Sequence, residues 1–244
     1  YSSAASDVYK RQELYEVVET NKARRAYIMP TRHATRADGA YTIDELDRIA
    51  TAARGMSCEP AMILMMFGSC RTGEALGPRL DECRLVESHG LALVVADVVR
   101  QVREQGRVGE DGSLKNRKSV RSVVIPPPWA ARLWELVETR REAGDTWLCD
   151  NGQGAPCTQD QLRDEWGRAV AAAGLPHKAA RAARRSWETY MRWTMGVAPD
   201  RVERMMGHAI PGVTGVHYDK PSAEQFVETV AEAFARRPFV AKED

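Results

Sequence analysis

The 244-residue chain predicts a mainly α domain with one small antiparallel β-sheet, an α+β fold. Three observations carry that prediction. Apolar residues recur at helical spacing along most of the chain. Two β-type runs, Leu91-Ala92-Leu93-Val94-Val95 and the Val120, Val123, Val124, Ile125 set, flank a polar turn from Gly106 to Ser113. Three prolines, Pro126 to Pro128, then end the second run.

The elements follow in order. Tyr1 to Gln12 reads as sequence foreign to the fold and is set aside. Glu13 to Tyr27 reads as the end of an element whose body precedes it, and Met29 to Ala40 as a linker, so the chain is expected to be an N-terminally truncated fragment. The main domain is expected from Tyr41 to Ala235, with a tail from Arg236 to Asp244. Thr42 with Glu45 forms a capping box, and Ile43, Leu46, Ile49 and Ala50 form the stripe of a first helix. Cys58 to Ser69 is apolar all round, which predicts a buried helix and makes its methionines core residues. Thr72 to Leu80 predicts a short helix opened by Arg71. After the sheet come helices over Trp129 to Ala143, Gln159 to Ala173, Lys178 to Met195, Asp200 to Met206 and Ala223 to Ala235.

Composition narrows the class of function. At 43% apolar residues the chain can bury a core, and it holds no apolar run long enough to span a membrane. Five cysteines without a CxxC pair point to a reducing cytosol rather than a disulfide framework or a zinc site. The histidines and carboxylates have poor metal-ligand spacing, so no metal or other cofactor is expected. Net charge is only +1, but its distribution is uneven. Arg100 to Arg121 holds seven basic residues against three acidic, and His177 to Arg204 the same. Such segments fit local phosphate contact, or equally solvated helix faces.

Five short motifs carry the chemistry. Arg71-Thr72-Gly73-Glu74 is followed by Leu76. Lys115-Asn116-Arg117-Lys118-Ser119-Val120-Arg121 leads into Val124-Ile125-Pro126. Arg185 is followed by Gly196 eleven residues on, and by Gly207-His208 after eleven more. Tyr218 lies ten residues past His208. Two arginines, a histidine and a tyrosine suit metal-free attack on a phosphodiester. In order and spacing these motifs resemble the tyrosine recombinases, the phage-integrase family, from about Tyr41 to Phe234. The matching boxes are Arg-x-Gly-Glu, the β-hairpin lysine, His-x-x-Arg, Gly-His and the nucleophilic tyrosine.

The resemblance implies a site-specific DNA recombinase that cleaves and rejoins strands through a 3′-phosphotyrosine. It implies that Arg71 and Arg185 grip the scissile phosphate and that Lys115 protonates the leaving 5′ oxygen. His208 would bond the phosphate or manage the tyrosine proton, and Tyr218 would attack. Glu74 would buttress Arg71, and Lys118, Arg121 and Arg184 would contact DNA. Lys118 is the rival to Lys115, and Tyr190 the rival to Tyr218, although Tyr190 sits among Trp187, Met191 and Trp193 and reads as packing. On this register the His of His-x-x-Arg falls on Ala182, which can neither donate a hydrogen bond nor shuttle a proton. Arg181, beside it, is the candidate to reach the phosphate instead.

The implied partners are double-stranded DNA and further copies of the chain, as a tetramer on DNA. The helix Ala223 to Ala235 can dock on a neighbouring subunit or on its own domain. Two alternatives stand: a catalytically impaired DNA-binding remnant of an integrase, and an unrelated helical DNA-binding regulator. The second predicts that the motif residues lie scattered in space.

Overall fold

The computed structural model describes residues 39–103, 106–109, 120–208 and 221–241. Lys115, Lys118 and Tyr218 lie outside the described residues.

Helix α1 (Ile43–Ala52) starts as its capping box requires. Thr42 accepts from the Glu45 amide, and Glu45 accepts from the Thr42 amide at 2.7 Å. Helix α2 (Glu59–Gly68) is buried along its whole length, as its unbroken apolar character demands. It ends at Ser69, whose positive φ of 57° turns the chain into the next motif.

Helix α3 (Thr72–Ala75) is one turn long, shorter than the Thr72 to Leu80 helix the sequence predicts. Gly77 and Pro78 explain the early stop. A Cβ on Gly77 would lie 2.5 Å from the Arg100 carbonyl, so the chain leaves the helix where another segment crosses it. Leu80–Glu82 forms a single 3₁₀ turn instead.

The sheet has three strands in the order β1 (Cys83–Ser88), β2 (Leu91–Val98), β3 (Arg121–Ile125), all antiparallel. The two β-type runs pair as expected, with Val95 opposite Val124. Strand β1 was not legible, because only Cys83 is buried and its side chains show no strong pattern. It joins β2 through His89-Gly90, both in the left-handed region. Strand β2 is central, so Leu93 to Ala96 are buried on both faces.

Helices α4 (Trp129–Glu142) and α5 (Gln159–Ala172) lie where their stripes place them. Helix α6 (Arg181–Thr189) runs on into a π turn, Tyr190–Thr194. Helix α7 (Pro199–Met205) begins with proline at its first position, and α8 (Ala223–Arg236) is the last element. Helix α8 packs on β2 and β3 of its own domain, burying Phe226, Val230 and Phe234. In this structure the terminal helix therefore docks in cis. Phe239 in the tail also packs inward, 4.8 Å from Trp129 between ring centres.

The core runs between α2, α6 and the sheet. Phe67 stacks on Trp129 at 3.7 Å, and Trp129 donates its indole N–H to Asp47. Ser186 on α6 accepts from the Tyr41 amide at 2.7 Å, tying the first residue of the domain to the helix that carries the second arginine motif. Among the described residues no helix is long and apolar enough to cross a membrane.

Candidate active site

The site is built around one buried carboxylate. Glu74, the third residue of α3, is 2% exposed. It accepts from the Arg71 amide at 3.0 Å, from Arg71 Nη1 at 2.5 Å and from Arg121 Nη2 at 3.0 Å. Arg184 Nη1 stands 4.0 Å away. Burial alone would raise the Glu74 carboxyl, but Arg121 and Arg71 beside it hold it below the ordinary carboxylate value. Glu74 therefore stays charged and gathers three guanidinium groups around itself.

The glycine in Arg-Thr-Gly-Glu has a steric cause. The 100–102 segment crosses α3, with the Val102 amide donating to the Gly73 carbonyl at 2.8 Å. A Cβ at residue 73 would lie 2.6 Å from the Val102 carbonyl. Only glycine lets that backbone approach and leaves Arg71 and Glu74 on the same short turn.

Arg184 comes from α6, whose Ala182, Ala183, Ser186 and Trp187 are buried. Its Nη1 donates to the Ser69 carbonyl, its Nη2 to the Met206 carbonyl at 2.5 Å, and the same Nη2 lies 2.9 Å from His208 Nε2. Burial, with Arg121 and Arg71 near it, lowers its guanidinium to about 10.

His208 is placed by the end of α7. Gly207, with φ of +69°, closes the helix. Its amide donates to the Arg204 carbonyl and the His208 amide to the Glu203 carbonyl, the paired bonds of a Schellman motif. Arg121 Nε donates to the Met205 carbonyl at 2.9 Å. Arg121 and Arg184 thus both grip the carbonyl end of α7, where cations are favoured.

The structure corrects two sequence expectations. Arg185 was the expected second arginine, but it is exposed, and Arg184 enters the cluster instead. One residue on a helix is a rotation of about 100°, so counting spacings to glycines cannot separate neighbours that face opposite ways. Ala182, on which the sequence register puts the missing histidine, is a core residue, 1% exposed. The residue one turn before Arg184 is Arg181, which is exposed at the start of α6. Arg121, expected to contact DNA, is buried with its guanidinium turned to Glu74 and Met205.

Arg71 and Arg184 both approach Glu74, and His208 lies against Arg184. Tyr190 sits half-buried in the π turn, 6.3 Å from Phe234, and burial raises its hydroxyl, which suits packing rather than attack. Sequence reading missed Glu203 and Arg192. Glu203 is joined to His208 at 2.5 Å, and Arg192 pairs with Glu203. The available signal was a carboxylate five residues before His208, at the end of a helix closed by Gly207. Among the described residues no cluster of His, Cys, Asp or Glu is arranged to hold a metal ion.

No family model matches the chain, and no curated protein does. Solved structures do. The Tn1549 transposon integrase in complex with transposon right end DNA aligns with a TM-score of 0.57 at 16% identity, covering 91% of this chain and 72% of that one. XerA recombinase aligns at 0.54 and 15% identity, covering 88% and 70%. A lambda integrase dimer bound to a COC′ core site aligns at 0.50 and 15%, covering 89% and 72%. From Tyr41 onward, the helices, the three-stranded sheet and the arginine cluster at their junction belong to a chain with the tyrosine-recombinase fold.

Proposed function

We propose that this chain carries the catalytic domain of a site-specific DNA recombinase of the integrase type, cleaving and rejoining DNA through a 3′-phosphotyrosine at Tyr218. The observation that carries the reading is the convergence of Arg71 and Arg184 on Glu74, with His208 against Arg184, from three separate parts of the sequence. That convergence disfavours an unrelated helical regulator, which gives no reason for these side chains to meet.

The chemistry follows from the side chains. Guanidinium groups bind the non-bridging oxygens of a phosphodiester and stabilise the charge that builds on them during attack. Glu74 takes one of Arg71's five N–H donors, and the side chain is half-exposed. The Tyr218 hydroxyl gives its proton to His208 or to solvent as its oxygen bonds to phosphorus, the P–O5′ bond breaks, and the 5′ oxygen departs with a proton from Lys115. The free 5′-hydroxyl of a partner strand then reverses the step and releases the tyrosine. Recombination of two duplexes calls for four such subunits on DNA. Arg181, standing where the family carries histidine, keeps the impaired DNA-binding remnant as the second reading.

A nicked suicide duplex tests this. The expected result is a covalent protein–DNA adduct that Tyr218→Phe abolishes. Retained DNA binding with no adduct in the wild-type chain would establish the remnant instead.

A further inference from the structure

His208 is held by two partners that each allow only one role. Its Nδ1 lies 2.5 Å from Glu203 Oε2, and a carboxylate only accepts, so Nδ1 carries the hydrogen. Its Nε2 lies 2.9 Å from Arg184 Nη2, and a guanidinium only donates, so Nε2 offers its lone pair. The ring is therefore the neutral Nδ1–H form with Nε2 directed at the arginine of the candidate site.

Glu203 holds the residue twice over. Its backbone carbonyl accepts from the His208 amide at 3.0 Å within the helix-closing motif, and its side chain accepts from the ring of the same residue. Glu203 is itself restrained. Arg192 donates to its Oε1, and the same guanidinium lies 3.2 Å from Glu188. Arg192 belongs to the π turn Tyr190–Thr194, a widened helical turn of the kind that recurs at functional sites. The chain of contacts runs Glu188, Arg192, Glu203, His208, Arg184.

We propose that Glu203 is the positioning residue for His208, fixing its tautomer and aiming Nε2, and that Arg192 on the π turn anchors Glu203. Where it concerns turnover, the assignment rests on the recombinase reading above. Where it concerns the ring, it rests on geometry alone. Orientation of an imidazole by a carboxylate on its far nitrogen sets which nitrogen can exchange a proton or hydrogen bond with a substrate.

Two readouts on the whole chain test it. Nitrogen-15 correlation spectra of the histidine rings are expected to show His208 as the Nδ1–H tautomer in the wild type, and as the Nε2–H or an averaged form in Glu203→Ala. Adduct formation on the nicked duplex is expected to slow by about tenfold to a hundredfold in Glu203→Ala, the loss of one charged hydrogen bond. Glu203→Gln, whose amide oxygen still accepts from Nδ1–H, should restore the tautomer and most of the rate. DNA retention in a gel shift should stay unchanged. A wild-type spectrum showing the Nε2–H form overturns the proposal even where the alanine variant does not fold. So does an alanine variant with an unaltered tautomer. If the wild type forms no adduct, the recombinase reading fails, and the spectra still decide the role of Glu203.

Discussion

Arg71 and Arg121 pair with the same carboxylate, yet they belong to different regions. Arg121 lies in the floor of the site, its side chain 4% exposed, with further bonds to the Met205 and Ser69 carbonyls. Arg71 lies on the rim, its side chain 45% exposed. The floor holds α3, β3 and the end of α7 together; the rim faces what binds. An ion pair contributes according to its surroundings, so the two contacts to Glu74 should behave differently when broken.

The largest expected effect is on the floor. Arg121→Ala leaves Glu74 buried without its closest interior cation and frees the Met205 carbonyl. It should destabilise the fold by about 3–5 kcal/mol, read from urea unfolding. A loss below about 1 kcal/mol would erase the distinction between floor and rim.

Next comes the contrast between neighbours on α6. Arg184→Ala should slow adduct formation by about a hundredfold to a thousandfold, the usual cost of removing one donor to a developing oxyanion. Arg185→Ala should have the smaller effect, since residue 185 is exposed while Arg184 turns to Ser69, Met206 and Glu74. Equal losses in both variants would return the second arginine to its spacing-based register.

Acid should weaken the floor progressively. Glu74 has its folded-state pKa lowered below the ordinary 4.5. The stability it contributes is therefore present above pH 4.5 and is lost as pH falls through the lower folded value. Thermal melts from pH 6 downward should show Tm dropping below about pH 4.5, with a shallower drop in Glu74→Gln.

The smallest effect is on the rim. Arg71→Ala should change stability by less than about 1 kcal/mol, because its half-exposed pair with Glu74 is screened by solvent. Its adduct formation should nevertheless collapse, since the half-exposed rim guanidinium faces what binds. A large stability loss would place Arg71 with the floor.

The legible and illegible parts of the site divide along physical lines. The capping box at Thr42, the buried helix α2 and the paired runs of β2 and β3 were readable, because each is written in residues adjacent or regularly spaced in the chain. Gly73 and Gly207 were readable as motif glycines, and the structure supplies their reasons: a crossing carbonyl in one case, a left-handed helix end in the other. Strand β1 was not readable, being half exposed and weakly patterned. Glu203 was not readable as a partner of His208, since only the closed end of α7 folds the two side chains together.

By itself the sequence determined the order of the helices and of β2 and β3, the Arg71–Glu74 turn, the Gly207–His208 helix end and the resemblance that organised them. Local chain geometry suffices for those, because caps, glycines and periodicity act over a few residues. Tertiary structure alone decided that Arg184 and not Arg185 meets Glu74, that Arg121 supports the site from beneath, and that α8 docks on its own sheet. Those outcomes depend on which side of a helix faces the core, and helix phase is set by the packing of Ala182, Ala183 and Trp187 against distant partners rather than by any distance counted along the chain.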